Sequence, residues 1–102
     1  MTAYSVLAVT PTSQDWIADY LPNANALVAK HGGRYLARTA THQQVEGPEQ
    51  PAALRIVIEW PSVDAALAFE NDPAYSQYLD ARLKNSNSLH FVVAGQDDLV
   101  GS

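Results

Sequence analysis

Four stretches of this chain read as β-strands and only two as helices, and that imbalance constrains the fold more than any other feature. The strongest strand is Leu54 to Trp60, Leu-Arg-Ile-Val-Ile-Glu-Trp. Its residues alternate, with Leu54, Ile56, Ile58 and Trp60 on one side and Arg55, Val57 and Glu59 on the other. Leu89 to Ala94 alternates too, setting Leu89, Phe91 and Val93 against His90, Val92 and Ala94. A sheet built from such strands has two faces that both carry apolar residues. Two helices in 102 residues cover one of them. The second face is expected to meet a second copy of the chain, sheet against sheet, enclosing a cavity.

The remaining elements follow from local signals. Tyr4 to Thr10 is a β-branched apolar run ending at Pro11. Thr12 or Ser13 offers an N-cap oxygen, and Asp15 supplies first-turn acid to a helix whose face is Trp16, Tyr20, Ala24, Leu27, Val28 and His31. Pro22 interrupts that pattern and predicts a kink near Asp19. Gly32-Gly33 ends the helix, because glycine takes positive φ without a Cβ penalty. Arg34 to Thr39 is a second strand, and Thr41 to Glu46 is expected to continue it or bend away as a short strand. Gly47 to Pro51 is a loop. After Pro61, Ser62 caps a helix over Val63 to Glu70. Asn71-Asp72-Pro73 breaks and restarts it, with Asp72 as N-cap and Pro73 at the first helical position, and the restarted segment carries Tyr75, Tyr78, Leu79, Arg82 and Leu83. Asn85 to Ser88 is a polar turn before the last strand. The order is β-α-β-(β)-β-α-β, the split βαβ, ferredoxin-like pattern. We expect an α+β fold, a four-stranded antiparallel sheet with helices on one face, as a single domain over residues 1–95 with an acidic tail over 96–102.

Composition narrows the function classes. Hydrophobic residues are 47% and charged residues 17%, enough for a packed core. No apolar run approaches the ~20 residues of a membrane span. The opening Met-Thr-Ala-Tyr-Ser has no basic stretch, so no secretory signal is visible and a cytoplasmic location is the expectation. Cysteine is absent, which excludes disulfides and thiolate chemistry. A net charge of −5 argues against nucleic acid as partner. Three histidines without a ligand-like spacing argue against a metal. No phosphate-cradling loop or nucleophile elbow is present.

Three segments carry a resemblance. His31-Gly32-Gly33-Arg34-Tyr35-Leu36-Ala37-Arg38, then Ile56-Val57-Ile58-Glu59-Trp60-Pro61-Ser62, then Asp72-Pro73-Ala74-Tyr75 resemble the DUF1330 family of small bacterial proteins. The resemblance spans about Tyr4 to Gly95. It implies a ferredoxin-like subunit and a dimeric α+β barrel, and it implies no reaction. The wider superfamily includes haem-degrading and quinone-forming monooxygenases, muconolactone-type isomerases and chlorite-dismutase-like proteins, so those activities enter as analogy of fold.

Several residues could carry chemistry. His31, before the two glycines, is a candidate acid/base, or else a helix-end residue bonding the last carbonyls. Arg34 and Arg38 are an even number of positions apart, which strict alternation places on one strand face. Glu59 sits in the most apolar strand, where a carboxylate needs a cation. Glu59 with Arg38 or Arg34 therefore reads as an acid/base and an anion stabiliser inside the barrel, or as an interface ion pair. Arg82 is a weaker partner. Trp16, Tyr20, Trp60, Tyr75 and Tyr78 read as core or as an aromatic pocket wall. His90 follows the alternation of Val92 and Ala94 and is expected to face the dimer cavity. The first reading is a small cofactor-independent enzyme, catalysing isomerisation or a monooxygenase-type step on a compact organic molecule, with Glu59, His31 and Arg38 catalytic. Arg34, Trp60, Tyr75, Tyr78, Arg82 and His90 would hold the substrate. The alternatives are a non-catalytic, stress-linked homodimeric binding protein and, third, a haem binder.

Overall fold

The computed structural model describes residues 1–100; the last two residues of the expected tail lie outside the described residues. Four strands, β1 (Ala3–Pro11), β2 (Arg34–Thr39), β3 (Leu54–Trp60) and β4 (Ser86–Ala94), form one sheet in the order β2-β3-β1-β4. Every neighbouring pair is antiparallel. With α1 (Ile17–Lys30), α2 (Val63–Glu70) and α3 (Ser76–Lys84), this is the α+β, ferredoxin-like arrangement.

The alternation of β1 and β3 sets the core. Paired residues of antiparallel strands share a face, so Leu7 opposite Ile56, Ser5 opposite Ile58 and Ala3 opposite Trp60 form one surface. Ala3, Leu7, Val9, Ile58 and Trp60 are buried there, under Ala24 and Val28 of α1, Ala66 and Phe69 of α2, and Tyr75. Trp60, Phe69 and Tyr75 are stacked in series, with ring centroids 5.2 and 4.3 Å apart. The other surface carries no helix.

Local chemistry explains the ends of the elements. Ser62 caps α2, its Oγ accepting from the Ala65 N–H at 3.0 Å. Gly32 has φ +81°, and Gly33 packs against Trp60. A Cβ on Gly33 would lie 2.6 Å from Trp60 Cζ3 and 2.9 Å from Val28 Cγ1.

Four expectations are corrected. α1 begins at Ile17, after Trp16 rather than after Thr12 or Ser13, and has no side-chain cap hydrogen bond; Trp16 Nε1–H instead donates to the Ser13 carbonyl. Thr41 to Glu46 forms no strand; the Gln44 side chain ties that loop to the carbonyls of Glu46, Gly47 and Pro48. Asp72 starts a turn rather than a helix, its Oδ1 accepting from the Ala74 N–H, and α3 starts four residues later. The polar segment Ser86 to Ser88 belongs to β4 and pairs with β1 from Pro11 to Val9.

Two further corrections concern faces. A register shift between Tyr35 and Ala37 leaves Leu36 as the extra residue of β2. Arg34 therefore pairs with Glu59 on the uncovered face, while Arg38 pairs with Ile56 on the covered one. In β4, His90 pairs with Leu7 and Val92 with Ser5, so His90 lies under the helices. Leu89, Phe91 and Val93 form the uncovered set.

Candidate functional site

A cavity of about 80 Å³ lies on the covered face, between the sheet and the helices. A water needs on the order of 10–15 Å³ by this kind of measure, so the space suits several waters or a compact molecule. Most of its wall is apolar, from Leu7, Val9, Ile56, Ile58, Phe69 and Ile17. Exposed Arg38 lines its outer part.

The polar part of the wall comes from four elements. Tyr20 of α1 and Tyr75, just before α3, share a hydrogen bond of 2.5 Å between their hydroxyls. Glu70 ends α2, Arg82 lies in α3 and His90 in β4. Arg82 Nη2 stands 3.9 Å from Glu70 Oε1, and His90 Nδ1 stands 3.6 Å from Glu70 Oε2. Neither distance closes a strong hydrogen bond. Glu70 Oε2 and Arg82 Nε and Nη1 are buried and make no hydrogen bond among the described residues. Arg82 is only 3% exposed; burial works against its charge, but the Tyr75 and Tyr20 hydroxyls and Glu70 beside it more than offset that and raise its pKa.

Burial tunes these groups. It raises the Glu70 carboxyl above the usual 4.5, and the Arg82 charge offsets that only in part. Burial and then Arg82 push the His90 imidazole down to about 4, so it is neutral at physiological pH. Tyr20 and Tyr75 are both raised, first by burial, and stay protonated. The site thus presents a permanent cation, an acid with a raised pKa, a neutral imidazole and two phenol hydroxyls.

Of the residues singled out in the sequence, Tyr75, Arg82, His90 and Arg38 line this cavity. Trp60 lies behind it and donates its indole N–H to Ser5 Oγ at 2.8 Å. Tyr78 packs against the core. Arg38 bonds Asn25 Oδ1 at 2.7 Å and stacks over the Tyr35 ring at 3.9 Å. Glu59 and Arg34 form a 3.0 Å ion pair on the uncovered face and meet neither Arg38 nor the cavity. His31 caps α1 with its backbone N–H and bonds Asp72 Oδ2 through Nε2 at 2.8 Å. Lys30 reaches the same carboxylate, and the two hydrogen bonds, with the Ala74 N–H, hold Asp72 well below the usual carboxylate range.

Sequence reasoning passed over Glu70 and Ser5 as site residues; Trp16 and Tyr20, expected as core or aromatic pocket wall, do line the cavity. Glu70 carried a signal, since an acid in the last turn of a helix opposes the dipole and asks for a reason. Ser5 carried a weaker one, a polar residue in the apolar alternation of β1.

The cavity offers a haem no good seat. It is too small for a macrocycle, and the Nε2 atoms of His31 and His90 are engaged by Asp72 and Ser5. No group of three metal-ligating side chains occurs among the described residues, and none of their helices is long and apolar enough to cross a membrane.

Solved structures share this fold. The RPA0582 protein of Rhodopseudomonas palustris aligns with a TM-score of 0.73 at 16% identity, over 94% of this chain and 83% of that one. SnoaB, a cofactor-independent oxygenase of Streptomyces nogalater, aligns at 0.64 and 16% identity, over 97% of both chains. Rv0793 of Mycobacterium tuberculosis aligns at 0.51 and 13% identity, over 95% of this chain and 98% of that one. A comparison with curated protein sequences finds no match. Residues 2–96, nearly the whole chain, match the family model for a domain of unknown function, DUF1330, and the chain belongs to that family.

Proposed function

We propose that the protein is a small cofactor-independent enzyme that moves a proton on a compact, oxygenated, partly apolar molecule held in the covered-face cavity. Glu70 takes the proton, and Arg82 stabilises the enolate or phenolate oxygen that results. The Tyr20–Tyr75 pair supplies a hydroxyl to a second oxygen. The observation that carries this reading is the set of three buried polar atoms without partners, Glu70 Oε2 and Arg82 Nε and Nη1, on the wall of an otherwise apolar cavity. Buried polar groups are normally satisfied, and a ligand oxygen would satisfy these. The likeness of fold to a cofactor-independent oxygenase supports the reading as analogy.

A panel of compact cyclic ketones and phenols tests it, followed by deuterium exchange α to the carbonyl and by ligand-detected NMR. Exchange above the solvent rate, lost in Glu70→Gln, is expected. Wild type and Glu70→Gln behaving alike across the panel would end the enzyme reading, and binding without exchange would leave a non-catalytic binding protein.

The working unit in this proposal is a cytoplasmic homodimer. Val6, Leu89, Phe91 and Val93 are exposed on the uncovered face, with Phe91 63% exposed. A second copy related by a two-fold axis would cover that face with its own.

A further inference from the structure

We propose that Trp60, Ser5 and His90 form a one-way hydrogen-bond chain across the sheet that fixes the His90 tautomer and aims its Nδ1–H at Glu70. This rests on Glu70 being the base of the proposed reaction. Ser5 and Trp60 are then positioning residues that act through His90.

The direction follows from donor and acceptor inventory. An indole N–H only donates, so Trp60 Nε1 gives its proton to Ser5 Oγ at 2.8 Å. Ser5 is completely buried, and its Oγ also lies 2.8 Å from His90 Nε2. Among the described residues no third partner of that hydroxyl is recorded. If His90 supplied the proton to this contact, the Ser5 O–H would point into the core with nothing to accept it. Buried donors without an acceptor are strongly disfavoured. Ser5 therefore donates to Nε2. His90 is neutral and holds one ring proton, which must then be on Nδ1.

Nδ1–H faces Glu70 Oε2, 3.6 Å away and otherwise unpartnered. Arg82, from α3, faces the other carboxylate oxygen, and the Tyr75 phenol stands nearby. Glu70 is thus bracketed by two donors, each slightly beyond hydrogen-bond range. Catalytic contacts of this kind tighten when the site is filled. Both donors favour the ionised carboxylate and work against burial, which favours the acid. The chain links β3, β1 and β4 in their order across the sheet, so its members are held by paired strands rather than loops.

The experiment reads imidazole nitrogens in ¹⁵N-labelled protein without ligand, so it stands or falls separately from turnover. Wild type is expected to show His90 as a single Nδ1–H tautomer, and an Nε2–H tautomer there overturns the proposal outright. In Ser5→Ala, an Nε2–H population should appear, and the Glu70 carboxyl, followed by ¹³C titration, should move up by roughly half a unit to one unit as it loses an aimed donor. Ser5→Ala protein with an unchanged tautomer and an unchanged Glu70 titration would overturn the role of Ser5 and Trp60. Trp60→Phe should leave the Glu70 shift smaller than in Ser5→Ala. If Ser5→Ala fails to fold, the wild-type tautomer still decides.

Discussion

The two faces of the sheet are made from the same strands, yet each holds residues that suit the other's surroundings. The covered face buries Arg82 and Ser5 and half-buries Glu70 and His90 among aromatic rings. The uncovered face exposes Leu89, Phe91 and Val93 to water. A chain acting alone would gain by exchanging the two sets. That it carries both points to two absent occupants of different chemistry. The buried polar groups fit a small oxygenated molecule, and the exposed apolar rows fit a second copy of the chain. The comparison breaks if either face proves complete by itself.

The largest effect should come from the seam that holds the covered face together. Gly33 sits against Trp60, and valine there would drive its Cβ to 2.6 Å from the indole. Overpacking of that kind costs about 3 kcal/mol or more. For a domain of this size that lowers the melting temperature by roughly 12 °C or more. Calorimetry of Gly33→Val matching wild type would show that Trp60 can yield, and that the covered face is looser than its packing implies.

Next comes the uncovered face. Val57 and Phe91 share one row with Val6 across β3, β1 and β4. Val57→Asp or Phe91→Asp should convert a dimer into monomers in light scattering, because a carboxylate buried at that interface lacks a partner and costs several kcal/mol, about 3 or more. Wild type with the monomer mass at micromolar concentration would mean that the face is covered by something other than a second copy.

The third prediction separates stability from function on the covered face. Arg82→Met keeps the shape and removes a buried, poorly paired charge, so the melting temperature should hold or rise. Binding and proton exchange should disappear. If Arg82→Met instead lowers the melting temperature sharply while binding survives in the folded fraction, the guanidinium belongs to the scaffold.

The covered face also sets the response to acid. The folded chain keeps His90 neutral down to about 4, whereas the unfolded chain protonates near 6.5. Stability should therefore fall as pH drops through that interval. Glu70 opposes the trend, because its raised pKa lets the folded chain take up a proton first. Asp72 adds a second loss below its ordinary 3.8, since its contribution is whole above that value and drains away as the depressed carboxyl protonates. Melting curves of His90→Gln should lack the upper limb, and those of Asp72→Asn the lower one. A wild-type profile flat between 6.5 and 4 would contradict the buried neutral imidazole.

What the sequence made legible was periodic, and what it hid was parity. Alternation in β3 separated the buried set from the other one because that strand is regular. The same reasoning joined Arg34 to Arg38 and failed, because one extra residue at Leu36 turns everything after it to the other face. In β4 the two alternating sets were separable, but both are largely apolar, and only the pairing of His90 with Leu7 decides which one meets the helices. The site was least legible of all. Glu70, Arg82 and His90 come from three elements that touch only after folding. Spacing along the chain says nothing about such a meeting.

The smallest effect belongs to the ion pair that joins edge strand β2 to β3 on the uncovered face. Glu59 looked chemically loaded in the sequence because a carboxylate among Ile58 and Trp60 seemed to need a hidden cation. Its side chain points away from both, toward Arg34, which is 71% exposed. Pairs so open to solvent contribute little, at most about 1 kcal/mol, and salt screens them further. Glu59→Gln should shift the melting temperature by a few degrees at low salt and less at high salt. It should leave binding and proton exchange in the cavity unchanged, since the sheet itself separates the two places. A Glu59→Gln protein that keeps its fold and loses turnover would place chemistry on the uncovered face, where the second copy could complete it, and would reverse the division of labour between the faces.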